Sequence, residues 1–97
     1  MIPTNQRNIQ ELAAVIAATI QAKNHDYGGA FAKQYDKFGI LYAVSKLSEK
    51  YDRIEALATE HAEVKGEPLE DALLDLAGYC LLTLDQLHQR AELGEEK

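Results

Sequence analysis

The chain has 97 residues, 46% hydrophobic and 27% charged, which allows one domain with a single modest core and excludes a low-complexity or disordered chain. Sixteen acidic residues against ten basic ones give a net charge of −6, which argues against direct DNA binding but leaves room for a small nucleotide arriving with Mg2+. Cys80, the single cysteine, excludes an internal disulfide; no stretch of ~20 apolar residues offers a membrane span, and Met1 to Asn5 lacks the basic start of a signal peptide, so a cytoplasmic location is expected.

No segment alternates with a period of two, so the expected fold is all-α, three long helices plus a short one in a single domain over 1–97. Its core is expected over about 8–90, with a frayed tail at 91–97. The first helix is predicted from about Asn8 to Lys23, with Ile9, Leu12, Ile16 and Ile20 in one stripe and Thr4 or Asn8 as cap. Asn24 to Gly29 then breaks it with residues that favour turns. This stretch, with Lys23, gathers a cation, an amide, an imidazole, the Asp26 carboxylate and the Tyr27 phenol. It can grip phosphate through Lys23 and a base through Tyr27 and Asn24, or it can be a helix cap and turn.

Ala30 to Phe38 reads as a short helix carrying Phe31, Tyr35 and Phe38, stopped at Gly39. The second long helix is predicted from Ile40 to Thr59, packing through Ile40, Val44, Leu47, Tyr51, Ile54 and Ala58. Glu60 to Gly66 is a polar connection. The third long helix opens at Glu67-Pro68, where proline suits the first turn and Glu67, Glu70 and Asp71 oppose the dipole, and it runs to about Arg90. Its core stripe is predicted as Leu69, Leu73, Leu76, Cys80 and Leu87. Leu74, Leu81 and Leu82 make a second apolar side, from which a homo-oligomer, a dimer or tetramer, is expected. His61 and His88 are isolated, and no zinc spacing, glycine-rich phosphate loop or nucleophile elbow occurs.

Asp75 is the one charge among the thirteen residues from Ala72 to Leu84. Such a helix is apolar on every side, so Asp75 is expected to be buried and to need a partner. That partner is either a salt bridge to Lys46 or Arg53, or a metal ion. Glu49 and Asp52 share one face of the second long helix, and Asp71 and Asp75 share one face of the third. If the pairs face each other, four carboxylates form a hard-oxygen site for Mg2+ or Mn2+. If they do not, Glu49 and Asp52 belong to a solvated face laced by Lys46, Lys50 and Arg53.

Lys23-Asn24-x-Asp26-Tyr27-Gly28, then Lys46-Leu47-Ser48-x-Lys50-Tyr51-Asp52-Arg53-Ile54, then Gly66-Glu67-x-x-Glu70-Asp71-x-Leu73-Leu74-Asp75-Leu76-Ala77-x-Tyr79 resemble the nucleotide modification-associated domain family common in phages and prophages. The resemblance covers roughly residues 20 to 87 and implies a role near phage nucleotide metabolism. The helical layout is also similar to the all-α nucleotide pyrophosphatases of the MazG and dimeric dUTPase type, which hold Mg2+ on paired acids and split a nucleoside triphosphate between its α and β phosphates. That likeness implies catalytic roles for Glu49, Asp52 and Asp75; Lys46 and Arg53 are expected to offset charge on the leaving group. Asp52 stands where that pattern has glutamate, and Asp71 and Asp75 are spaced by four, not three. The expected function is therefore a Mg2+-dependent (deoxy)nucleoside triphosphate pyrophosphohydrolase, against two alternatives: a protein that binds or sequesters a nucleotide without cleaving it, and a purely structural helical oligomer.

Overall fold

The computed structural model describes residues 6–26, 29–59 and 67–92. They form four helices, α1 (Gln6–Asp26), α2 (Ala30–Phe38), α3 (Ile40–Thr59) and α4 (Glu67–Glu92), with no strand among the described residues. The bounds of α2 and α3 are those the sequence predicts. By contrast, α1 starts two residues earlier than expected and continues through Lys23, Asn24 and His25 to Asp26. Asn8 is thus inside the helix rather than its cap. Thr4, the 60–66 connection with His61, and the tail from 93 lie outside the described residues.

Two glycines set the joints. Gly29 has φ 73° and ψ 33°, left-handed backbone that glycine adopts without steric cost, and its N–H donates to the Asn24 carbonyl at 3.0 Å. That bond satisfies one of the orphan acceptors at the end of α1. Gly39, with φ 74° and ψ −159°, connects α2 to α3 alone: its N–H donates to the Tyr35 carbonyl at 2.7 Å and its carbonyl accepts from Tyr42 N–H at 3.0 Å.

α4 is the central element, with α3 packed along one face, α1 along another, and α2 against α3 and α4. Phe31, Tyr35 and Ala43 form the core, with Tyr42, Tyr79 and Leu82 packed on it. Phe31 lies at the centre of an aromatic group, its ring 5.4 Å from Tyr42, 5.9 Å from Tyr79 and 6.2 Å from Tyr35 between centroids. The buried residues of α4 include Ala72, Thr83 and Gln86. Thr83 Oγ1 donates to the Tyr79 carbonyl at 2.7 Å, and Gln86 Oε1 accepts from Arg90 Nη2 at 3.0 Å. Arg90 in turn stacks 4.8 Å from the Tyr35 ring and pairs with Asp36 at 3.0 Å, fastening α2 to the end of α4.

Three expectations are corrected here. Leu73 and Cys80 are exposed rather than core, and so are Ile40, Val44 and Tyr51 of the stripe predicted for α3. Leu74 and Leu82 do not form an open side of α4, because α1 lies over that face. There, a Cβ at Gly78 would stand 3.0 Å from Ile20 Cδ1, so the two helices are in close contact and a larger residue would require Ile20 to shift by a few tenths of an ångström. Asp75 is only half-buried, its side chain 39% exposed. No described helix is long and apolar enough to cross a membrane.

Candidate functional site

Lys23 comes from the last turn of α1, where a cation is favoured by the helix dipole. Lys46 and Lys50 are one turn apart on α3, and Asp75 and Tyr79 are one turn apart on α4, so each pair projects from one face of its helix. The three helices bring these groups together. Lys23 Nζ lies 3.7 Å from Asp75 Oδ1, and Lys50 Nζ lies 3.6 Å from Oδ2. Lys46 and Lys50 also approach the Tyr79 ring, at 5.8 and 5.3 Å from its centroid, within the range of cation–π attraction. Both lysine side chains are about three-quarters covered, with 26% and 24% exposure, so their stems pack on the aromatic surface while the ammonium groups reach the rim.

Lys46 also meets Glu49 at 3.4 Å. Burial alone would push the Lys46 pKa down, but Glu49, joined by Tyr79 and Tyr42, outweighs it and holds the value above the ordinary lysine range. The group is a cation at any physiological pH. Three ammonium groups against the carboxylates of Asp75 and Glu49 leave a local positive excess in a chain whose net charge is −6.

Beside this cluster a cleft of about 90 Å3 is lined by Lys23, Asn24, Phe31, Tyr42 and Tyr79, among others. It shares Ile20, Asn24 and Leu82 with a larger groove between α1 and α4 of about 330 Å3, which also takes in Gln21 and Asp85. The smaller cleft carries Lys23 and the aromatic rings, with Lys46 and Lys50 beside it over Tyr79; the larger one supplies room. Together they pair a cationic rim with apolar walls and a few amides, the composition of a site for a small anionic ligand with a flat ring.

Of the residues singled out from the sequence, Lys23, Asn24, Lys46 and Asp75 meet here. The Asp26 side chain and Tyr27 lie outside the described residues. Arg53 is exposed one turn beyond Lys50. Glu49 is exposed and tied to Lys46, while Asp52 and Asp71 are exposed on α3 and α4. Asp75 pairs with Lys23 and Lys50, not with Lys46 or Arg53. Among the described residues no three of His, Cys, Asp or Glu gather closely enough to hold a metal ion. Glu49, Asp52, Asp71 and Asp75 thus do not gather into one cluster in the single chain, and each oxygen of Asp75 faces an ammonium group. Sequence reasoning gave no site role to Lys50, Tyr42, Tyr79 and Phe31. The available signal was the pair of four-residue spacings, Lys46 with Lys50 and Asp75 with Tyr79, set against a helix with three aromatic residues nearby.

The family model described as nucleotide modification associated domain 1 matches residues 23–87. The match opens on Lys23 and contains every residue of the cluster. No curated protein and no solved structure matches the chain.

Proposed function

Because the chain belongs to the nucleotide modification associated domain 1 family, we propose that it binds a nucleotide, with phosphate at Lys23, Lys46 and Lys50 and the base against the half-exposed edges of Tyr42 and Tyr79. One observation carries this reading: three ammonium groups from two helices converge on the rim of an aromatic cleft in an acidic protein. Phosphate oxygens replace the Asp75 carboxylate as partners of Lys23 and Lys50, a charge-assisted exchange in which no cation is left unpaired. Half-exposed aromatic edges give a base a stacking surface at low entropic cost, and the amide of Asn24 stands where it can meet a base edge or sugar hydroxyl.

Cleavage is the alternative reading, supported by one feature. Glu49 and Asp52 stand exposed beside the lysines on α3, and Asp71 stands one turn from Asp75 on α4. Hydrolysis of a (deoxy)nucleoside triphosphate to monophosphate and pyrophosphate would draw on these acids, and a role in the nucleotide metabolism of a phage would suit either reading.

Calorimetry with deoxynucleoside mono- and triphosphates, in EDTA and again in Mg2+, tests the first reading. Wild-type protein is expected to bind in EDTA, and Lys50→Ala to weaken binding about tenfold, roughly 1.4 kcal/mol. Absence of binding at millimolar nucleotide in either buffer refutes it. Pyrophosphate release in the Mg2+ arm decides between binding and cleavage.

A further inference from the structure

Lys50 faces Asp75 and Lys46 faces Tyr79, so residue numbers rise along α3 as they fall along α4 and the two helices are antiparallel. α1 covers the face of α4 that carries Asp75, Gly78 and Leu82. At about 100° per residue, Leu73, Ala77, Cys80 and Leu84 recur with spacing four, three, four on the nearly opposite face. On α3 the same side of the antiparallel pair carries Leu41, Val44, Ser48 and Tyr51. All but the half-buried Ala77 stand open: Leu41 is 72% exposed, Tyr51 55%, Leu73 and Leu84 50%, Val44 49%, and Ser48 and Cys80 are exposed. One whole side of the α3–α4 pair is thus an apolar, uncharged strip two helices wide.

We propose that a second copy of this chain covers the strip, building a four-helix interface from α3 and α4 of each copy. Three observations favour that occupant. The strip, with Ile40 at its edge, sets out on the order of 600 Å2 of apolar surface, the upper limit for a monomer and, with a polar rim, close to the roughly 800 Å2 each partner gives a standard interface. Among the described residues no large side chain is fully buried, so the core of the single chain is small. The strip itself carries no charge along its length, Glu55 and Glu70 standing at the end where α3 finishes and α4 begins, so an equally apolar and uncharged surface, which a second copy supplies, fits it. A lipid surface would meet an acidic protein without a basic rim. Ala77 and Cys80, small residues at mid-strip, let the α4 helices of the two copies come close.

This interface lies on the other side of α4 from Leu74 and Leu82, and it does not depend on the nucleotide site. The full chain, followed by sedimentation and light scattering from 1 to 100 μM, is expected to run at twice its 10.8 kDa mass. Val44→Glu and Leu84→Glu, half-exposed in the single chain, should each return it to monomer with helical content kept. Leu81→Glu, outside the strip, should not. Cys80 provides a readout on unmutated protein: with the strip covered, a thiol reagent should label it about tenfold more slowly than in Val44→Glu, and faster on dilution. A wild-type monomer at 100 μM, an oligomer that survives both Val44→Glu and Leu84→Glu, or Cys80 labelling at the rate of an open thiol at every concentration overturns the proposal.

Discussion

Lys50 on α3 holds Oδ2 of Asp75 on α4 at 3.6 Å while Lys23 approaches the other oxygen at 3.7 Å, so one carboxylate stands between two cations from separate helices. Asp75 occupies the place an incoming phosphate would take. Replacing it with a neutral isostere separates its two candidate roles.

Asp75→Asn is expected to raise affinity for inorganic phosphate and for a deoxynucleotide several-fold, because the competing internal anion is gone. Its cost to stability should stay below about 1 kcal/mol, since the pairs are long and partly solvated. Calorimetry with phosphate measures the first and thermal melting the second. A loss of affinity would instead assign Asp75 to ligand contact.

Phe31 is 6% exposed and touches three tyrosine rings. Phe31→Ala should therefore destabilise the protein by about 3–5 kcal/mol, chiefly by leaving a cavity. Tyr79→Phe keeps the ring and its cation contacts, so its melting temperature should fall much less. Equal losses for the two variants would contradict a packing role centred on Phe31.

Gly39 and Gly29 both have positive φ, yet they should respond differently. At either, a Cβ meets no atom within 4 Å, so any loss from alanine is backbone strain alone, of order 1–3 kcal/mol. Asparagine tolerates the left-handed geometry of Gly29 and should recover part of that loss. At Gly39 the ψ of −159° lies outside the left-handed well, and asparagine should recover nothing. Denaturant titration of the four variants gives the comparison.

The raised pKa of Lys46 has a definite sign in pH. A folded-state value above the unfolded one means that its contribution to stability is complete below the ordinary lysine value of 10.5 and is lost as pH rises through the higher folded value. Stability should be flat with respect to Lys46 from pH 6 to 9. Glu49→Gln should lower the Lys46 pKa, followed by NMR of its side-chain signals. An unchanged titration would remove Glu49 as the cause.

Helix number, type and the joints at α2 and α3 were legible because Gly39 and the Glu67-Pro68 start are local signals that tertiary packing did not override. The rotation of the long helices was not. Apolar periodicity assigned Leu73 and Cys80 to the core of α4, whereas its buried line includes Thr83 and Gln86, polar residues kept inside because Tyr79 and Arg90 satisfy them. On α3, Lys46 and Lys50 lie on the covered side and Val44 and Tyr51 outside, a reversal made possible by lysine stems that pack like apolar chains. The acid pairs failed to converge for the same reason. A spacing rule places two residues on one face but says nothing about where that face points.

Where α1 is attached bears on how the protein breathes. Its packing partner is α4, its predicted stripe leaves Ile9 66% and Leu12 43% exposed, and Lys23 near its end is tied to Asp75. α1 is therefore the unit expected to detach first, and its backbone amides should exchange with deuterium well before those of α3 and α4. An anion that binds Lys23 together with Lys50 joins α1 to α3 directly, so occupancy should slow exchange along α1 more than along α3 and α4. Exchange rates mapped along the chain would thus register a ligand even where its affinity is too weak for heat to be measured.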